Sequence, residues 1–174
     1  MYFILIFTLN NRQKMIMDEY KFHHEKGCDV KKASLLHDSL VVGKNGNLVK
    51  IQDLVVGDAI QSLDINNNRI INTKITKIVK NNPRTYYYSI NQRLFITNDH
   101  HILVLKENQS KWIKVENLKT GDTIKSLKDH IKIMTLERIE KPASTVYMET
   151  ESGNFVIKAG DNYYVAKSQY MPLF

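Results

Sequence analysis

The sequence predicts an all-β domain from residue 34 onward. Three observations carry this. Short apolar runs alternate with turn residues at a spacing of about eight to twelve positions, the pattern of many short strands. One stretch recurs later in the chain, at a period long enough for two copies of a supersecondary unit. No long helical periodicity appears after Ser34.

Taken in order, residues 39–42 form a strand and Lys44-Asn45-Gly46-Asn47 a hairpin turn, with Asn-Gly its strongest cue. Residues 48–51 return. Residues 52–58 make a compact turn that aims the strand 59–63, and 64–68 turn again. Residues 70–80 and 85–90 are strands around Asn81-Asn82-Pro83. Two apolar runs then flank the polar turn Thr97-Asn98-Asp99-His100, which puts a hydroxyl and an imidazole on a β scaffold. Residues 131–139 are mostly extended. The runs 144–149, 154–158 and 162–167 close the domain, separated by the glycine-bearing turns 151–153 and 159–161.

The repeat joins LVKIQDLVVGDAIQSL at 48–63 to WIKVENLKTGDTIKSL at 112–127. Lys50, Leu54, Gly57, Asp58, Ile60, Ser62 and Leu63 recur as Lys114, Leu118, Gly121, Asp122, Ile124, Ser126 and Leu127, about 64 residues on. At the same offset His37-Asp38-Ser39-Leu40 lies over His101-Ile102-Leu103-Val104, and Ser34 falls near the 97–100 turn. Two such halves are expected to pack about a pseudo-two-fold axis, with reactive groups where they meet.

The remaining features narrow the class. A chain of 174 residues, 43% hydrophobic and 25% charged, has the composition of a globular domain with a sizeable core. The net charge of +7 is spread over scattered lysines, so no nucleic-acid partner is expected. The apolar start, 1–9, is shorter than the roughly 20 residues that span a bilayer, and no membrane partner is expected. A single cysteine, Cys28, leaves no internal disulfide and fits a reducing, cytoplasmic setting. Met15, Ile16, Tyr20 and Phe22 fall on one side of a helix ending at Gly27. His23 and His24 are adjacent, which does not aim two helical side chains at one metal, so no metal and no cofactor is expected. A monomer is expected.

Ser34 ahead of the first strand, Thr97-x-x-His100 ahead of the repeated one, and the paired Leu-x-x-Gly-Asp turns together resemble the Hint family. Its members are the inteins, the hedgehog autoprocessing domains and the bacterial intein-like domains. The resemblance implies a horseshoe of short strands over 34–167, a flank at 1–33 and a tail at 168–174. Val146-Tyr147 and Asn154-Phe155-Val156 are similar to the family's closing strands. It further implies that Ser34 is the nucleophile and that the chain's own flanking peptide is the substrate. Ser34 Oγ would attack the carbonyl of Ala33 and turn the amide into an ester. His100 would move the protons, and Thr97 would hold the scissile peptide or His100.

Five positions depart from the family pattern, Ala166 at the usual His among them. Ser34 stands where Cys is commoner, Met148 where Asp often follows Val-Tyr, and Gly153 where His often precedes Asn-Phe. Lys167 and Ser168 are the candidate C-terminal junction, where His-Asn before Cys, Ser or Thr is usual. Lys167 cannot cyclise, so N-terminal cleavage or transesterification is expected rather than full splicing. The alternative is an inactive Hint-like β module used for protein interaction.

Overall fold

The computed structural model describes residues 33–168. The expectations for the apolar start, the helix ending at Gly27, the histidine pair and Cys28 lie outside the described residues.

Fifteen strands follow one another: β1 Leu35–Leu36, β2 Leu40–Val42, β3 Leu48–Lys50, β4 Ala59–Asp64, β5 Arg69–Val79, β6 Tyr87–Ile90, β7 Leu94–Ile96, β8 His101–Lys106, β9 Gln109–Lys114, β10 Thr123–Ile124, β11 Ile131–Lys132, β12 Leu136–Ile139, β13 Thr145–Thr150, β14 Asn154–Ala159 and β15 Asn162–Lys167. Two one-turn 3-10 helices, Ile51–Asp53 and Val115–Asn117, are the helical content of the described residues. A seven-stranded sheet runs β12-β6-β7-β1-β13-β5-β4. An eight-stranded sheet runs β11-β10-β8-β15-β14-β2-β3, with β9 added on β8. All the named pairings are antiparallel. Leu35, Ile96 and Val146 of the first sheet and Ile102, Phe155 and Ala166 of the second belong to one buried core cluster.

The repeat is a repeat of structure. Each copy has a 3-10 turn capped by an extended leucine, Leu54 or Leu118. A glycine follows, Gly57 or Gly121, both at φ 94°, a region that favours glycine. The next residue, Asp58 or Asp122, then folds back. Its carboxylate accepts the N–H of Val55 at 2.9 Å in one copy and of Lys119 at 3.0 Å in the other. Among the recurring residues, the Gly57/Gly121 and Asp58/Asp122 pairs are the ones whose φ or side-chain bond the turn requires.

Upstream the offset is different from the expected one. Ile51 N–H bonds to the carbonyl of Ser39 and Val115 N–H to that of His100; Gln52 and Glu116 bond likewise to His37 and Asn98. Ser39 thus matches His100 and His37 matches Asn98. The β8–β9 hairpin is three residues longer than β2–β3, which slides the alignment. Two further strand expectations shift. The run 85–90 begins only at Tyr87, after Arg84 bridges Ala143. The run 131–139 breaks in two because Asn91 Oδ1 takes the N–H groups of Met134 and Thr135 at 2.7 and 3.1 Å.

Candidate functional site

Strand register builds the site. Leu35 of β1 pairs with Ile96 of β7. One residue further along this antiparallel ladder, Ser34 stands opposite Thr97. On the second sheet Ala166 of β15 pairs with Ile102 of β8. The same step brings His101 opposite Lys167 and, after it, His100 opposite Ser168. The 97–100 turn passes from β7 in one sheet to β8 in the other, so it meets both ends of the folded domain.

Ser34 and Thr97 are both fully buried. The Ser34 N–H, which belongs to the Ala33–Ser34 peptide, donates to Thr97 Oγ1 at 2.8 Å. The Thr97 hydroxyl donates to the Ser34 carbonyl at 3.0 Å, and the Thr97 N–H bonds that oxygen at 3.1 Å. The Ser34 backbone is thus clamped on both sides by one residue. The Ser34 hydroxyl oxygen accepts the side-chain amide of Asn82 at 2.8 Å.

His100 is 3% exposed and packs edge-on to Phe155, with 6.3 Å between ring centroids. Its Nε2 lies 2.9 Å from the carbonyl oxygen of Lys167. A carbonyl only accepts, so Nε2 carries the proton. Burial pushes the imidazole down to about 4; the Ser34 carbonyl, the Asp99 charge and the Lys167 carbonyl offset only part of this. The ring is therefore neutral at pH 7, and Nδ1 presents a lone pair. Nδ1 has no hydrogen-bond partner among the described residues. The nearby Ser34 carbonyl is bonded to Thr97. Asp99, next to His100, is held by a partly buried ion pair to Arg84 at 2.7 Å.

The C-terminal candidates are also gripped. The Lys167–Ser168 peptide has its carbonyl on His100, and its N–H donates to the Gly153 carbonyl at 2.9 Å. Ser168 is buried, with Oγ 2.7 Å from Thr150 Oγ1 and accepting the Thr150 N–H at 3.2 Å. Gly153 occupies a turn at φ 80°, which suits glycine. Met148 is buried in the apolar core and offers no acid to Ser34. So the structure joins Ser34 directly to Thr97 and His100 directly to Lys167, and holds Ser168 on Thr150.

Two residues at the site are not singled out by the sequence: Asn82, which reads as part of a turn, and Arg84. Among the described residues, no group of three or more His, Cys, Asp or Glu side chains is arranged to hold a metal. No helix among them is long and apolar enough to cross a membrane.

No family profile and no curated protein matches the sequence. Solved structures do match the fold. The crystal structure of the TvoVMA intein has a TM-score of 0.65 at 15% identity, covering 76% of this chain and 96% of that one. The chain has the intein fold. A DnaB intein from Synechocystis sp. PCC 6803 has a TM-score of 0.64 at 16% identity, with 80% of this chain and 100% of that chain covered. The bacterial intein-like domain from Clostridium thermocellum has a TM-score of 0.62 at 17% identity, with 78% and 98% covered. These solved chains are covered almost completely, at 96% to 100% of their length.

Proposed function

We propose that the chain is an intein-like autoprocessing domain that acts once, on its own Ala33–Ser34 bond. The observation that carries this reading is the clamp on that bond. The Ser34 amide N–H sits on Thr97 Oγ1 at 2.8 Å, one residue from the strand that anchors it. A peptide held this way has a fixed orientation when the adjacent hydroxyl attacks, and fixed orientation removes much of the entropic barrier.

In this reading Ser34 Oγ gives its proton to the neutral His100 Nδ1 and bonds to the carbonyl carbon of Ala33. The imidazolium then returns the proton to the Ser34 nitrogen, whose bond to Ala33 breaks. The product is an ester at Ser34 with the same composition as the starting peptide. The Lys167 carbonyl keeps the tautomer that leaves Nδ1 free, and the Asp99 charge favours the transient imidazolium. Water or a second nucleophile resolves the ester. Ser168 is the candidate second nucleophile, with the Lys167 carbonyl already on the same imidazole; Lys167 has no side-chain amide with which to cyclise. Residues 1–33 and 168–174 are then the substrate flanks.

N-terminal sequencing of fragments from the purified full chain tests this. A new N-terminus at Ser34 in the wild type, absent from His100→Ala, is expected. A fragment starting elsewhere, or an equal yield from His100→Ala, would overturn the reading.

A further inference from the structure

We propose that Asn82 is a catalytic residue of this site, donating a hydrogen bond from its side-chain amide to Ser34 Oγ so that the oxygen can attack as its own proton leaves. The inference rests on the acyl-shift reading above. Asn82 Nδ2 lies 2.8 Å from Ser34 Oγ. An amide nitrogen has only protons to offer, so Oγ is the acceptor in this bond. A hydrogen bond to the charged form of a group favours that form. The bond therefore stabilises the negative charge that builds on Oγ when the hydroxyl proton goes to His100.

The placement of Asn82 comes from the strand that places Ser34. Asn82 N–H donates to the Thr145 carbonyl at 3.1 Å, and the Thr145 hydroxyl donates back to the Asn82 carbonyl. Thr145 is fully buried in β13, paired with Leu36 of β1. Donor and nucleophile thus hang from two adjacent strands, and the side-chain amide need not be ordered at the moment of reaction. A serine needs this help more than a cysteine would. A free thiol has a pKa near 8.5, whereas a hydroxyl is far less acidic. Met148, on the same strand, is apolar and supplies no alternative. In the step itself the Oγ–H bond breaks and an Oγ–carbon bond forms at Ala33. The Ala33–Ser34 C–N bond breaks, its electron pair stays on nitrogen, and nitrogen takes up the proton. Asn82 keeps its own protons throughout.

The test is the first-order rate of hydroxylamine-dependent cleavage at Ala33–Ser34 in the full chain. Four chains are compared: wild type, Asn82→Ala, Ser34→Cys and the double variant, with circular dichroism and thermal melts confirming that each folds. Losing one hydrogen bond to an oxygen that carries charge slows a step roughly 10- to 100-fold, so Asn82→Ala is expected to lose roughly that in the serine chain. The same substitution is expected to cost at least tenfold less with Ser34→Cys, because the thiol needs less stabilisation. Equal losses in both backgrounds would make Asn82 a structural residue and overturn the proposal, as would no loss in the serine chain. Cleavage in the wild type with either of those results leaves the acyl-shift reading standing. A wild-type chain that hydroxylamine leaves whole rejects that reading and the role of Asn82 with it.

Discussion

The imidazole Nε2 of His100 lies 2.9 Å from the carbonyl oxygen of Lys167, at the far end of the folded domain from Ser34 in sequence. This contact ties the tautomer of His100 to the position of β15. With Nε2 donating, Nδ1 is left as a buried base with no partner among the described residues, a group that costs stability to bury. The reaction proposed for Ser34 uses that lone pair.

Substituting His100→Gln tests the base without emptying the site. A glutamine retains a donor for the Lys167 carbonyl and much of the volume against Phe155, but no basic nitrogen. Cleavage is expected to fall about 100- to 10,000-fold, the usual contribution of general acid–base help. The thermal midpoint is expected to stay within a few degrees. A cleavage rate within threefold or so of wild type would exclude His100 as the proton carrier.

The buried imidazole also sets a pH dependence of stability. Its folded pKa, about 4, lies below the unfolded value near 6.5. Between these values the unfolded chain binds a proton that the folded chain refuses. Stability from this group is therefore complete above pH 6.5 and lost as pH falls towards 4, by about 3 kcal/mol at most. Urea titrations at pH 7 and pH 4.5 should show a larger loss for wild type than for His100→Gln. His101, also held down by burial, contributes to both chains alike.

Thr97 carries three bonds to the Ser34 backbone, two through its hydroxyl. Thr97→Val keeps the shape and removes the hydroxyl, leaving the buried Ser34 N–H without its partner. A loss of about 1–3 kcal/mol is expected, together with slower cleavage. Thr97→Ser should recover most of both. If valine matched threonine in chemical denaturation, the clamp would contribute nothing.

The matched turns predict matched costs. Gly57 and Gly121 share φ 94°, and a Cβ on either meets no atom within 4 Å. Alanine at either position therefore carries backbone strain without a clash, about 1–2 kcal/mol each. The double variant should lose the sum, since the turns lie in different hairpins. Unequal single losses measured by denaturation would mean that the turns are not equivalent.

The parts of the fold legible in the sequence are those that constrain single residues. The paired turns demand Gly57 and Gly121 for φ and Asp58 and Asp122 for a local bond, so the repeat survived as letters. Thr97 and His100 stood out in the sequence because one short turn holds both, whereas Ser34 was singled out only through the family resemblance. The two-residue strand β1 was not, since it is too short to show a period. Nor was the contact of Asn82 with Ser34, which spans 48 residues of chain and is set by β13 pairing with β1. Asn-Asn-Pro by itself spells only a turn. The offset upstream of the repeat was misplaced because hairpin length leaves no mark on the aligned residues.

The most direct measurement is the intact mass of the full chain after incubation with hydroxylamine, wild type beside Ser34→Ala. Two fragments meeting between Ala33 and Ser34, the first ending in a hydroxamate at Ala33, are expected from the wild type alone. An unbroken wild-type chain, or the same break in Ser34→Ala, would contradict an acyl shift at Ser34.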